Sequence, residues 1–217
     1  MKRTSSLRPC PALPPHGSGQ RIGLLGGSFN PAHEAHRLIS LIALRRLRLD
    51  AIWWLVTPGN PLKDVSTLPT TAERVALANR VAHHPRIHVT GIEEDFGTRF
   101  TFDTLSVLRS RASKVHFVWL MGADNLQNFH RWNRWRALAH LMPIAVIDRP
   151  GATHYAARAR AAVALEWARL PEHEAQALFE RSAPAFTILH DRRSPLSSSF
   201  LRERHIFADN QDYIENR

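Results

Sequence analysis

Six short apolar runs punctuate the chain, and between them apolar residues recur at helical spacing. Arg21-Ile22-Gly23-Leu24-Leu25 stops at Gly26-Gly27, and Ile52-Trp53-Trp54-Leu55-Val56 stops at Thr57-Pro58-Gly59. Ile87-His88-Val89, residues 115–120, Ile144-Ala145-Val146-Ile147 and residues 186–189 complete the set. Continuous apolar runs of this length are the pattern of strands buried on both faces. The intervening spacing predicts helices over 35–46, from Thr70 or Thr71 to about 82, and over 103–109, 124–129 and 135–140. An alanine-rich helix is expected over 156–168 and a last one over 197–204. Strands alternating with helices imply an α/β fold, doubly wound, with a mainly parallel sheet and helices on both faces. Ligands of such sheets sit beyond the carboxyl ends of the strands, where the strand order reverses. The loops after the first, second, fourth and fifth strands therefore carry the interest.

Composition narrows the class. The chain has 217 residues, 44% hydrophobic and 22% charged, which suits one globular domain that needs no covalent staple. Cys10 is the single cysteine, so neither an intrachain disulfide nor a cysteine-based zinc site is expected. No apolar run approaches the roughly 18–20 residues of a membrane span. The basic N-terminus runs into prolines rather than an apolar core, unlike a secretory signal, so a cytoplasmic protein with no membrane partner is expected. Residues 1–20 are rich in Pro, Ser and Gly and read as a disordered leader. Residues 21–205 read as the domain and 206–217 as a tail. The net charge of +10 favours polyanionic partners. The basic residues are nearly all arginine and scattered, as in Arg45-Arg46-Leu47-Arg48, which fits solvated helix faces. With no nucleic-acid-binding motif present, a nucleic-acid partner is not expected.

Two segments carry chemistry. In the first, Gly26-Gly27-Ser28-Phe29-Asn30-Pro31-Ala32-His33-Glu34-Ala35-His36, two glycines follow a strand and let the backbone approach a ligand. Asn30-Pro31 reads as a helix entry, and free N–H groups at a helix start favour phosphate. His33 and His36, three apart, share a face and can donate hydrogen bonds to phosphoryl oxygens. A bare glycine turn, a metal half-site and plain surface are the competing readings. No third ligand stands at a fixed spacing, so no protein-bound metal is expected. A P-loop is excluded, because no Lys-[Ser/Thr] follows the glycines. In the second segment, Ser194-Pro195-Leu196-Ser197-Ser198-Ser199-Phe200-Leu201-Arg202, Ser197 and Ser198 offer hydroxyls and N–H groups, with Arg202 about one turn on. That set suits phosphate, although taken alone it fits an ordinary serine cap with a surface arginine better.

The first segment resembles the nucleotidyltransferase motif Gly-Gly-[Ser/Thr]-Phe-[Asp/Asn]-Pro-x-His-x-Gly-His, with Ala35 where the family usually has glycine. The second resembles that superfamily's Ile-Ser-Ser-[Thr/Ser]-x-[Ile/Leu]-Arg. Three further pieces resemble the bacterial nicotinate mononucleotide adenylyltransferases. They are Arg99-Phe100-Thr101-Phe102-Asp103-Thr104-Leu105, then Gly122-Ala123-Asp124-Asn125-Leu126 with Trp132 following, and a shortened Asn60-Pro61-Leu62-Lys63 loop. Arg149-Pro150-Gly151 after the fifth strand fits the same branch.

The resemblance implies a Rossmann-like fold and an adenylyl transfer from ATP to nicotinate mononucleotide, giving deamido-NAD and pyrophosphate in NAD synthesis. Mg²⁺ would be bound through the ATP phosphates and water. It implies His33 and His36 as catalytic contacts to the ATP phosphates. ATP-binding positions would be Gly26, Gly27, Ser28, Phe29, His33, His36, Gly122, Asp124, Arg149, Ser197, Ser198 and Arg202. Acceptor-binding positions would be Asn60, Lys63, Thr101 and Trp132. Nicotinamide mononucleotide and phosphopantetheine are the alternative acceptors, and a basic nucleic-acid-binding module is the reading from another class.

Overall fold

A computed structural model describes residues 11–59, 68–148 and 156–190. Seven strands form one sheet in the order β3-β2-β1-β4-β5-β7-β6, and every neighbouring pair is parallel. The strands are β1 (Arg21–Gly27), β2 (Ala51–Val56), β3 (Ile87–Thr90), β4 (His116–Gly122), β5 (Ile144–Ile147), β6 (Arg169–Leu170) and β7 (Phe186–Leu189). The helices are α1 (Glu34–Arg46), α2 (Thr71–Ala82), α3 (Ile92–Phe96), α4 (Thr101–Arg111), α5 (Ala123–Phe129), α6 (Trp135–Leu141) and α7 (Arg160–Ala164).

Side chains alternate between two cores, one on each sheet face, as strand geometry requires. Ile22, Leu24, Trp53, Leu55, Trp119, Met121 and Val146 point into one, where α4, α5, α6 and α7 cover them. Leu25, Ile52, Trp54, Val56, Val118, Leu120 and Ile147 point into the other, under α1, α2 and a 3-10 stretch over Glu172–Phe179. The doubly wound α/β reading thus holds.

Local chemistry starts and stops these elements. Thr70 caps α2 through a reciprocal pair: the Glu73 N–H donates to Thr70 Oγ1 (3.3 Å) and the Thr70 N–H to Glu73 Oε2 (2.8 Å). The same Thr70 hydrogen bonds hold the Glu73 carboxyl below its ordinary pKa. In α1, Glu34 lies in the first turn and Arg45 and Arg46 in the last, each matched to the helix dipole.

Three expectations are revised. The expected helix over 156–168 is regular only at α7 and gives way to a 3-10 turn at Glu166–Ala168 before β6. Residues 11–20 lie against the domain and do not belong to a disordered leader. Leu13 packs on the first core, and the His16 ring meets Trp53 edge-on at 5.6 Å. The Arg111 guanidinium donates to the Pro11 carbonyl (2.7 Å), and the Gly19 N–H donates to Lys114 O (2.7 Å). The surface that receives this segment comes from distant strands and helices, which composition does not reveal. Finally, α1 begins at Glu34 with His33 as its N-cap, so Asn30-Pro31 belongs to the preceding turn and not to the helix entry.

Candidate active site

The strand order turns at β1: β2 and β3 lie to one side, β4 and β5 to the other. Leu25 pairs with Leu120 and Gly27 with Val56, so the loops leaving β1, β4 and β2 start side by side at the carboxyl edge. A crevice at that point is where a parallel sheet places its ligand.

After β1 the chain passes Phe29 at a left-handed φ of 46° and turns into α1. The Phe29 ring is buried and stacks on Trp54 (5.0 Å between centroids), so this residue anchors the loop in the core. His33 is buried and His36 half-buried, with ring centroids 3.9 Å apart. The His33 N–H donates to His36 Nδ1 (3.2 Å). An imidazole whose Nδ1 accepts carries its neutral-form proton on Nε2, which makes Nε2 a donor. The His36 ring is also held by Phe29 (4.7 Å) and Trp54 (5.9 Å). Below it, Trp54 Nε1 donates to Ser40 Oγ (2.8 Å), and Ser40 Oγ donates to the His36 carbonyl (2.9 Å). The ring is therefore fixed in place and in tautomer.

The two glycines differ in purpose. A Cβ on Gly26 would run into the Trp119 ring at less than any real contact distance. Gly26 is thus required to be glycine by packing alone, whatever its backbone faces. A Cβ on Gly27 would meet only the Phe29 ring, at 3.4 Å, an ordinary contact.

The Trp119 ring that fills the space over Gly26 also meets Trp132 edge-on (6.2 Å), and Phe129 meets Trp132 in the same way (5.4 Å). Trp132 is half-buried with these rings against it. Thr101 opens α4. Arg134 joins the two segments, lying over the Phe102 ring (3.9 Å) and 4.0 Å from Asp103. Gly122 ends β4 and caps α5, and Asp124 sits exposed in that helix's first turn. The structure thus brings Ser28, Phe29, His33, His36, Gly122 and Asp124 to the edge where the strand order turns. It joins Thr101 to the segment that carries Trp132. Asn60, Lys63, Arg149, Ser197, Ser198 and Arg202 lie outside the described residues.

The chain leaves β7 toward the second serine motif through a tight junction. Glu172 accepts from Arg46 Nη2 (2.7 Å) and from the His190 N–H (3.0 Å), and its Oε2 lies 2.8 Å from His190 Nδ1. Burial pushes the Glu172 carboxyl up, but the hydrogen bonds from His190 and Arg46 outweigh it and hold its pKa below the ordinary value.

Sequence reasoning missed three residues: Arg74, Arg134 and the role of Trp119. Arg74 and Arg134 are two arginines among many, and Trp119 reads as an ordinary core residue. Only the partners that the fold supplies distinguish them.

A parallel sheet with this loop at the turning point of its strand order defines a Rossmann-like nucleotidyltransferase. Residues 24–204 match the cytidylyltransferase-like family. A Methylorubrum extorquens protein named probable nicotinate-nucleotide adenylyltransferase is 58% identical over 184 residues, 85% of this chain and 100% of that one. A Bradyrhizobium protein of the same name is 56% identical over 182 residues, 84% of this chain and 95% of that one. The Plasmodium falciparum nicotinic acid mononucleotide adenylyltransferase complexed with NaAD shares the fold, with a TM-score of 0.64 at 15% identity over 85% of this chain and 83% of that one. The chain belongs to the cytidylyltransferase-like family and, within it, to the nicotinate-nucleotide adenylyltransferases. Among the described residues no helix is long and apolar enough to cross a membrane, and no group of three or more His, Cys, Asp or Glu could hold a metal.

Proposed function

We infer that the protein transfers the adenylyl group of ATP to nicotinate mononucleotide, forming deamido-NAD and pyrophosphate. The observation that carries this reading is the fixed His33–His36 pair at the start of α1, beside the carboxyl ends of β1 and β4. The acceptor's phosphate oxygen attacks the α-phosphorus of ATP, and the bond from that phosphorus to the bridging oxygen of the β-phosphate breaks. The nucleophile is already anionic, so no general base is required, and catalysis rests on alignment and charge stabilisation.

The nucleotide enters as MgATP, with Mg²⁺ held by phosphate oxygens and water. Hydroxyl, imidazole and backbone N–H groups of the β1–α1 loop suit phosphate oxygens. In this reading His36 Nε2–H and His33 face the phosphates, and Gly27, Ser28 and Phe29 contribute backbone and hydroxyl groups. Gly122 and Asp124 line the nucleotide side, and Ser197, Ser198, Arg202 and Arg149 hold the triphosphate. Lys63 and Asn60 take the acceptor's phosphate, Trp132 stacks on its pyridine ring, and Thr101 with nearby N–H groups receives its carboxylate. The cell's soluble phase is the expected compartment.

The test is pyrophosphate release from ATP and Mg²⁺ with nicotinate mononucleotide, nicotinamide mononucleotide or phosphopantetheine as acceptor. Release with the first at the highest kcat/KM is expected. No release with any acceptor would overturn the reading.

A further inference from the structure

Arg74 is one of the largest buried side chains, 1% exposed, on the first turn of α2. Its guanidinium has five N–H donors, and all five are used. Nε donates to Pro69 O (2.8 Å). Nη1 donates to Ser28 O (2.7 Å) and Thr57 O (2.7 Å). Nη2 donates to Pro58 O (3.2 Å) and Thr71 Oγ1 (3.3 Å). Four acceptors are main-chain carbonyls. One belongs to the β1–α1 loop, two follow β2, and one lies at the return into α2.

Among the described residues no carboxylate lies within ion-pair distance of Arg74. Burial lowers its pKa, with the more distant Glu94 opposing. A buried charge without a counter-charge is a costly way to fill a core, and an apolar side chain of similar size would fill it at less cost. The advantage of the guanidinium is its rigid fork, which sets several carbonyls at fixed angles. A trans peptide places its N–H opposite its C=O. The bond to Ser28 O therefore orients the Phe29 N–H, and the bond to Pro58 O orients the Gly59 N–H. The Thr57 N–H donates to Gly27 O (3.0 Å), so the two loops touch, and Arg74 locks their angle.

We propose that Arg74 is a positioning residue that holds the β1–α1 loop and the start of the β2–α2 loop, residues 57–59, in one mutual register, and so couples the MgATP and acceptor subsites. This rests on the assignment of those loops to the two substrates given above. Arg74 touches neither substrate. Its loss misaligns both at once, whereas a residue serving one loop affects one substrate.

Two-substrate kinetics on Arg74→Lys and Arg74→Gln test this, with Ala78→Gly, at a buried position on the same helix, as the stability control. Lysine keeps the charge but offers three donors, leaving at least two acceptors unpaired. KM for MgATP and KM for nicotinate mononucleotide are expected to rise together, each about tenfold or more, in both Arg74 variants. Ala78→Gly lowers Tm and leaves both values in place. Unchanged KM values in a folded Arg74 variant, a rise for one substrate alone, or the same profile in Ala78→Gly would overturn the proposal. Hydrogen exchange on the wild type tests it without any substitution. A non-hydrolysable ATP analogue alone should slow exchange at 57–59 as well as at 28–36, and nicotinate mononucleotide alone should also slow 28–33. Protection confined to one loop for each ligand overturns the coupling. Wild-type pyrophosphate release in the same assay separates the two ideas: its absence defeats the functional reading, and its presence with unmoved KM values defeats only the role of Arg74.

Discussion

The backbone N–H of His33 donates to Nδ1 of His36 at 3.2 Å, so the residue that caps α1 also sets the tautomer of the imidazole one turn along. Helix capping and the proposed site chemistry share one hydrogen bond. His36→Ala is therefore expected to do two separable things. Turnover should fall on the order of 10²–10³, more than KM for ATP rises, as for loss of one preorganised donor. Stability should fall by about 1 kcal/mol through the lost cap. Steady-state kinetics with calorimetry on the same sample measures both, and near-normal kcat in a folded variant would remove His36 from the chemistry.

The neighbouring glycines should respond differently to the same change. Gly26→Ala drives a methyl into Trp119 and should cost roughly 1–3 kcal/mol of stability, as overpacking does. Trimming the ring with Trp119→Leu should recover part of that loss, visible as coupling in a double-mutant cycle. Gly27→Ala meets only Phe29 at 3.4 Å and should fold with near-normal Tm. Its effect should appear as a raised KM for ATP, where the added methyl narrows the approach to the loop.

Glu93 is buried at the start of α3, and burial pushes its carboxyl up to about 7, with the Thr104 hydrogen bond opposing. The folded pKa lies above the unfolded value, so this group's contribution is full below about pH 4.5 and is lost as pH rises through about 7. At about 1.4 kcal/mol per pH unit the loss is on the order of a few kcal/mol. Denaturant titrations at several pH values should show wild-type stability falling between those limits. Glu93→Gln should flatten that segment of the curve, and an unchanged slope would show that the carboxyl does not titrate there.

Acceptor choice depends on the ring substituent. In the proposed arrangement Thr101 and nearby N–H groups receive the ring substituent, which would suit a carboxylate, whereas an amide would set its own N–H₂ against them. The wild type should prefer nicotinate over nicotinamide mononucleotide by at least about tenfold in kcat/KM, or ~1.4 kcal/mol. Trp132→Ala should weaken both acceptors and largely keep their ratio, since stacking does not sense the amide. Collapse of the ratio in that variant would make Trp132 the discriminator.

Removal of residues 1–18 should lower stability by roughly 1–3 kcal/mol, because it strips Leu13 from the core and breaks the Pro11–Arg111 and His16–Trp53 contacts. Activity at a temperature well below Tm should be retained. An unchanged Tm would mean that these contacts contribute nothing net.

Local pattern determined much of this protein. All but one of the strands were legible because each is an apolar run ended by glycine or proline, or closed by a change of period. The α2 cap was legible because Thr70 and Glu73 stand three apart. The order of the motif residues, with glycines after a strand and two histidines at the next helix start, marks the candidate site in the sequence itself. What escaped was short or non-local. The five-residue α3 and the two-residue β6 carry too few positions for a period to show. Residues 11–20 resemble linker by composition, and only the surface around Trp53 gives them a place to pack. Gly26 and Gly27 are identical in sequence, and the difference between them is a Trp119 ring delivered by another strand. Arg74 stands in a helical pattern like any other arginine, yet the carbonyls it gathers lie up to 46 residues away in the chain. A guanidinium's role is set by the acceptors around it, and tertiary structure alone decides which these are.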